Sequence, residues 1–442
     1  MRKRNVPKHI EAEDFRKNHF NRASVISGLV SPAYGGECIS NLPDSFFKIL
    51  GVSHRRPLKI DSLYGKCEST ENLIFILLDG LGYNLIRNSI SRDSRVATTS
   101  SKAPTLESFI ERSLFLPITS VFPSTTSTAT TTLHTGLTPL EHGILGYTMY
   151  LQEVGAVAEM LRFAPLIGGR GISLFDFGNI DPETFLGSET IHEKLANSGI
   201  ISNLYISKWI TDSGLSKLTN RGARLFPHVA ASDMLVRLRR NLESGEGGSP
   251  SFHFAYFASP DTVAHVRGPF SEEYSAEVDA LFYQLERDLI ERLPVSVAKK
   301  TSLIISADHG LVNVSSKDVI DMRDHSGLRG LLKLPPTGDS RAVFLHAKEG
   351  AAESIRRYFD RHLRGKFHVM DSKELLVKGL LGLGIMNPHV QDRIGTLAAV
   401  PLGLNALDNS DIDPRREPMP GRHGGMSEDE MLVPLVARKL SP

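Results

Sequence analysis

The chain has 442 residues, 40% hydrophobic and 23% charged, with a formal net charge of +1. A near-neutral balance supplies no global field for nucleic acid or acidic membranes. Only two cysteines occur, Cys38 and Cys67, which excludes a disulfide framework or a thiolate metal cluster as the organising principle.

The length suggests two or three domain-sized units, or one large α/β domain with an insertion. The start, MRKRNVPKHIEAEDFRKNHF, is basic but has no apolar core, so it reads as a solvated arm and not as a secretory signal. No stretch approaches the roughly 18 consecutive apolar residues of a membrane span. A cytoplasmic location is therefore expected. Residues 1–70 read as arm, loop and a short helix in NLPDSFFKILGV that starts after Pro43 and ends at Gly51.

The next stretch, NLIFILLDGLG from Asn72 to Gly82, has a continuous apolar run from Leu73 to Leu78. That is the pattern of a strand buried on both faces of a parallel sheet. Asp79 ends it, where ligands bind in open α/β sheets. A helix is expected over 102–116 and a strand over 116–122, leading into VFPSTTSTATTTLHTGLTPLEHGILGY. Its run of small hydroxyl residues suits neither a core, where each hydroxyl needs a partner, nor a surface helix, because threonine loses rotamer freedom there. It reads either as a polar loop or as a strand-to-helix corner that presents a hydroxyl to a reaction centre.

Residues 151–250 lose the clean rhythm and close on GEGGSPS, a flexible connector. They read as an inserted, substrate-selecting cap between core segments 71–150 and 251–442. The sheet resumes with SFHFAYF (251–257), whose following loop carries Asp261 and His265. A helix follows over 271–293. SLIISA (302–307) then ends in Asp308-His309-Gly310, and a polar loop from Asn405 to Arg422 leads to His423 and a last strand over 431–436. The fold class expected is α/β, a central, mostly parallel sheet flanked by helices.

Strand ends and loops thus offer Asp79, Asp261, His265, Asp308, His309 and His423. Asp261 and His265, four residues apart, share one face of a helical turn. Three carboxylates and three imidazoles without a thiolate suit two divalent ions, Zn²⁺ with Mn²⁺ as the alternative. Two such ions about 4 Å apart clamp the attacking and leaving oxygens of an in-line displacement.

The ordered motifs LLDG, FPSTT with HTGLTPLEHG, SPDTVAH, SADHG and GRHGG resemble the alkaline phosphatase superfamily and, more closely, its nucleotide pyrophosphatase/phosphodiesterase family. The resemblance spans about residues 71–436 and is weakest over 150–250. It implies an alkaline-phosphatase-like fold. It implies one metal on Asp261, His265 and His423, and another on Asp79, Asp308, His309 and the nucleophile hydroxyl. It also implies Thr126 as that nucleophile, with Thr125 its nearest competitor, and a phospho-threonine intermediate. Family members often carry Phe-Pro-Asn-His after the nucleophile, and that asparagine helps hold the phosphoryl oxygen. This chain has Ser127-Thr128-Ala129-Thr130, which implies that the donor is missing at Ala129.

The activity implied is hydrolysis of phosphodiester or nucleotide pyrophosphate bonds in a small-molecule substrate. A phosphomonoesterase, a phosphoglycerate-mutase-like isomerase and a degenerate binding module are the competing readings. His142 is expected to pack or cap locally. His134, His253 and His325 lack acidic partners at ligand spacing. The arginines at 356, 357, 361 and 364 are expected on a solvated helix face.

Overall fold

The computed structural model describes residues 25–93, 106–167, 172–178, 180–245, 250–409 and 418–440. The N-terminal arm lies outside these residues. So do the start of the helix expected over 102–116, most of the GEGGSPS connector and part of the polar loop before His423.

In chain order the strands begin with β1 (Asn72–Leu78), β2 (Leu114–Thr119), β3 (Thr148–Leu151), β4 (Ala156–Glu159) and β5 (Ala164–Pro165). Then come β6 (Ile201–Ser207), β7 (Arg224–His228), β8 (Ser251–Phe257), β9 (Thr301–Ser306), β10 (Val312–Asn313) and β11 (Val319–Asp321). The last are β12 (Thr337–Asp339), β13 (Ala342–Leu345), β14 (Phe367–Asp371), β15 (Leu397–Pro401), β16 (Ala406–Asp408), β17 (Gly421–Arg422) and β18 (Leu432–Lys439).

The first sheet has the order β2-β18-β9-β1-β8-β6-β7. Its strands from β9 to β7 are parallel, and β18 runs antiparallel to both β9 and β2. β1 is buried from Leu73 to Leu78, as its continuous apolar run requires. In the register, Asn72 faces both Ser251 and Thr301, so the carboxyl ends of β1, β8 and β9 finish together. Neighbouring strands lie about 4.8 Å apart. Whatever follows these three strands is therefore brought to one place by topology alone.

The second sheet has the order β14-β15-β13-β12-β3-β4-β5 and every pairing in it is antiparallel. Its side chains alternate between two apolar layers. Ala342, Phe344, Ala398 and Val400 join one cluster, and Val343, Leu345, Leu397 and Ala399 join the other. Period-2 alternation with both faces covered explains why these short runs carry few polar residues.

Two expectations change. The helix over 102–116 is described only as Leu106–Glu111, and the strand begins early, at Leu114, because LFLPIT pairs with β18. Residues 151–250 do not form one separate cap. β4 and β5 extend the second sheet, whereas β6 and β7 continue the first beyond β8, where an open strand edge would otherwise expose unpaired amides. The remainder of the second sheet comes mainly from 337–401, which by sequence reads as part of the core.

The two sheets are joined by a fully buried ion pair. The Arg341 Nε and Nη2 donate to Glu430 Oε1 and Oε2 at 2.6 and 2.8 Å. The Gly425 amide and the Ser427 hydroxyl donate to the same carboxylate at 2.8 and 2.6 Å. The turn after His423 is thereby fixed. Burial opposes ionisation of Glu430, but Arg341 and the donors from Ser427 and Gly425 hold its pKa below the ordinary glutamate value. A carboxylate depressed in this way adds stability above its unfolded pKa and loses it as pH falls through the folded value. Glu430→Gln is expected to destabilise the chain by about 3–5 kcal/mol at neutral pH by stranding Arg341. In urea titrations the wild-type advantage should shrink as pH drops below about 4.3; an advantage independent of pH would contradict the assignment.

Candidate active site

Asp79 follows β1 directly, and its amide donates to Phe257 O at 3.1 Å, stitching it to the end of β8. Asp308 stands two residues past β9. Its Oδ1 accepts from the amides of Gly80 and His309 at 3.1 and 2.9 Å. Asp261 and His265 lie on the helix Ser259–Arg267, which opens after β8 with Pro260 in its first turn. His423 follows β17. Gly80 takes φ +71°, and a Cβ there would lie 2.9 Å from Asp261 Cβ. Glycine at that turn permits the two carboxylates to approach.

All six residues converge. Donor atoms of Asp79, Asp308 and His309 lie within 4.8 Å of one another, as do those of Asp261, His309 and His423. His309 stands between the two groups, with its ring stacked on His423 at 3.7 Å between centroids. His265 Nε2 is 3.1 Å from Asp261 Oδ2, and its ring lies 5.1 Å from that of His423.

The three imidazoles are set alike. The Nδ1 of His309 contacts Gly310 O at 3.1 Å, that of His265 contacts Gly421 O at 2.8 Å, and that of His423 contacts Ser124 O at 3.2 Å. A carbonyl oxygen only accepts, so each Nδ1 carries a proton and, in the neutral ring, each Nε2 turns a lone pair inward, the tautomer that metal ligation needs. Those lone pairs face carboxylates: His309 Nε2 lies 3.5 Å from Asp79 Oδ1 and 3.3 Å from Asp308 Oδ2. Asp79 Oδ1, Asp261 Oδ1 and Asp308 Oδ2 are buried without a hydrogen-bond donor among the described residues. Acceptors facing acceptors in a buried site require protons or cations between them. The donor set therefore fits divalent ions.

The electrostatics carry the same strain. Burial, then the charges of Asp308 and Asp261, pushes the Asp79 carboxyl well above the usual range. Burial also opposes the charge on Asp261, but His265 beside it holds its pKa low. Burial and the neighbouring His309 lower His423 to about 4. The Tyr256 hydroxyl donates to Asp79 Oδ2.

The hydroxyl run forms the helix Thr126–Thr135, with Thr125 as its N-cap and Gly136 ending it in the left-handed region. The Thr126 Oγ1 sits 3.2 Å from His309 Nε2, whereas the Thr125 hydroxyl turns away to Asp339. Ala129, which stands where an asparagine is often found, is fully buried. Ala129 and Leu133, one turn apart, pack into the main core. His142 packs locally, with Nε2 3.0 Å from Thr132 Oγ1 and Nδ1 accepting from the Ile144 amide. His134 pairs with His192 at 2.9 Å, and His253 and His325 contact Tyr205 and Tyr358. Arg356 reaches Asp371 and Val369 O, and Arg357 reaches Ser354.

Two neighbours of the site escape sequence reasoning. Tyr256 lies inside an apolar strand with nothing to mark it. Asp339 ends a three-residue strand of the second sheet; its one sequence signal is a Gly-Asp pair before RAVFLHA.

The fold matches that of solved phosphoesterases and a phosphonate hydrolase. Murine ectonucleotide pyrophosphatase/phosphodiesterase 5, as an inactive threonine-to-alanine variant in complex with AMP, superposes with a TM-score of 0.59 at 18% identity, over 84% of this chain and 88% of that one. Phosphonoacetate hydrolase from Sinorhizobium meliloti 1021, in complex with phosphonoformate, gives 0.57 at 18% identity, over 82% and 89%. No curated protein sequence matches the chain significantly. No helix among the described residues is long and apolar enough to cross a membrane. The sequence pattern of the type I phosphodiesterase/nucleotide pyrophosphatase family matches residues 73–425, and the chain, which carries that pattern through both the carboxylate-bearing strand ends and the Thr126 helix, belongs to that family.

Proposed function

We propose that the protein hydrolyses phosphodiester or nucleotide pyrophosphate bonds of a small-molecule substrate, with Thr126 as nucleophile and two divalent ions as cofactors. The observation that carries this reading is the position of the Thr126 hydroxyl. It stands at the first turn of a helix, 3.2 Å from His309 and beside buried carboxylate oxygens that have no donor among the described residues. In the murine relative a threonine-to-alanine change accompanies inactivity, in keeping with a threonine nucleophile.

Asp79, Asp308, His309 and the Thr126 hydroxyl would hold one ion; Asp261, His265 and His423 would hold the other. When bound, such ions lower the pKa of a hydroxyl or water and neutralise charge on phosphoryl oxygens, and Zn²⁺ or Mn²⁺ suits this mixture of oxygen and imidazole donors. The chain supplies the rest. Thr126 Oγ1 attacks phosphorus in line, the ester or anhydride oxygen departs, and a phospho-threonine forms; water then attacks that phosphorus and restores the hydroxyl. Phosphoryl oxygens developing charge face the first-turn amides of the helix Thr126–Thr135, whose N-terminus favours anions.

Substrate choice we assign to residues 151–250. A cavity of about 370 Å³ opens where β6 ends, lined by Arg162, Lys208, Trp209 and Lys217 together with Asp212. The carboxyl end of β6 lies on the same sheet edge as Asp79 and Asp308, the edge where open α/β sheets bind ligands. Cations around an exposed indole suit a leaving group that carries an aromatic ring and further negative charge.

Thr126→Ala is expected to abolish turnover of bis-p-nitrophenyl phosphate while elemental analysis finds metal content near wild type; full activity in that variant would sink the nucleophile assignment. With Zn²⁺ or Mn²⁺ supplied, the diester should be cleaved faster than p-nitrophenyl phosphate, and the reverse preference would make the protein a phosphomonoesterase. Trp209→Ala is expected to raise KM for a dinucleotide about 10-fold, since stacking of one base on an aromatic ring contributes ~1–3 kcal/mol, and to leave bis-p-nitrophenyl phosphate unaffected. Equal effects on both substrates would remove the cavity from substrate selection.

A further inference from the structure

The residues on either side of Thr126 both send their hydroxyls out of the helix toward the second sheet. Thr125 occupies the N-cap position with φ −131° and ψ 148°, yet its side chain caps no amide. An N-cap threonine ordinarily accepts from the second or third amide of its helix. Here Thr125 Oγ1 instead donates to Asp339 Oδ2 at 3.0 Å, and a carboxylate is the acceptor strong enough to divert it. Asp339 is itself held, with Oδ1 accepting from the Ser340 amide at 2.6 Å.

Ser127 makes the matching contact. Its Oγ donates to Gly146 O at 2.8 Å. Gly146 rests directly on β12, where a Cβ would come within 2.6 Å of Gly338 Cα. Gly338 precedes Asp339 and pairs with Thr148 of β3. Both tethers therefore end on one seam, between β12 and β3. Gly424, next to His423, meets the same seam. Its φ is +112°, a Cβ there would lie 3.0 Å from Asp339 Cβ, and its carbonyl accepts from the Ser124 amide at 3.2 Å.

We propose that the second sheet clamps the nucleophile. Asp339, acting through the Thr125 hydroxyl and paired with the Ser127–Gly146 contact, fixes the angle at which Thr126 Oγ1 meets His309 and the phosphorus. Asp339 is a positioning residue and contacts neither the nucleophile nor the metal donors through a hydrogen bond of its own. This inference rests on Thr126 being the nucleophile. It also gives the second sheet a part in the chemistry, because a misplacement of about 1 Å at the reacting atom can cost ~10²-fold in rate.

The test is steady-state kinetics on bis-p-nitrophenyl phosphate, with metal content measured for each variant. Thr125→Val and Asp339→Ala are each expected to lower kcat by roughly 10- to 100-fold, with KM and metal content close to wild type. Asp339→Asn should recover most of the rate, because with its amide oxygen kept on the Ser340 amide its NH2 can donate to the Thr125 hydroxyl and preserve the contact. The double variant Thr125→Val/Asp339→Ala should be no slower than the slower single one, since both break one contact. Wild-type kcat in Thr125→Val, multiplicative losses in the double variant, or a loss that tracks metal content would overturn the clamp. If Asp339→Ala does not fold, Thr125→Val and Asp339→Asn decide the matter by the same criteria. Activity in Thr126→Ala would instead remove the nucleophile reading beneath it, whereas an inactive Thr126→Ala beside a wild-type-like Thr125→Val overturns the clamp alone.

Discussion

Three carboxylates crowded at the end of a parallel sheet are the constraint on which the rest of this molecule depends. Asp79, Asp261 and Asp308 meet because β1, β8 and β9 are neighbours in register and end together. One oxygen of each is buried without a donor among the described residues. Such a group is costly, and the surrounding imidazoles relieve it only in part: all three Nδ1 protons are committed to backbone carbonyls, and His265 alone sets a charge directly beside a carboxylate, that of Asp261. The arrangement makes physical sense as a cage for cations, in which stability is given up locally to keep six donors aimed at shared points.

The hydroxyl run around Thr126, the proposed nucleophile, is the counterpart of that cage. Its members are not interchangeable. Ser124 ties the corner to Gly425 O, Thr125 to Asp339, Ser127 to Gly146 O, and Thr126 alone faces His309. Farther along, Thr130, Thr131 and Thr135 bond back to carbonyls one turn earlier. Apart from Thr128, whose buried hydroxyl has no partner among the described residues, the buried hydroxyls of this run are bonded, which is how a sequence poor in apolar side chains can form a buried helix. The Arg341–Glu430 pair performs the same service on the opposite side by fixing the turn that carries His423.

Much of this is legible in the sequence, for reasons that can be named. LIFILL and SLIISA announce two-face burial through continuous apolar runs, and the Asp that ends each could only lie on one sheet edge. All six donors follow from strand ends and the loops after them, and the structure brings them together. The second sheet is not legible. Its strands are short, come from 148–165 and 337–401, and pair across nearly two hundred intervening residues, a distance over which no local pattern speaks. Residues 151–250 mislead for a related reason: β6 reads as an ordinary apolar strand, and only pairing with β8 shows that it continues the main sheet. Asp339 is invisible because its partner, Thr125, is remote in sequence.

We propose that the donor cluster holds two divalent ions, which metal stoichiometry can count. Equilibrium dialysis against Zn²⁺ followed by elemental analysis should give two ions per chain in the wild type, and one or fewer in Asp308→Asn. A wild-type protein that hydrolyses its substrate with no bound divalent ion would contradict the account.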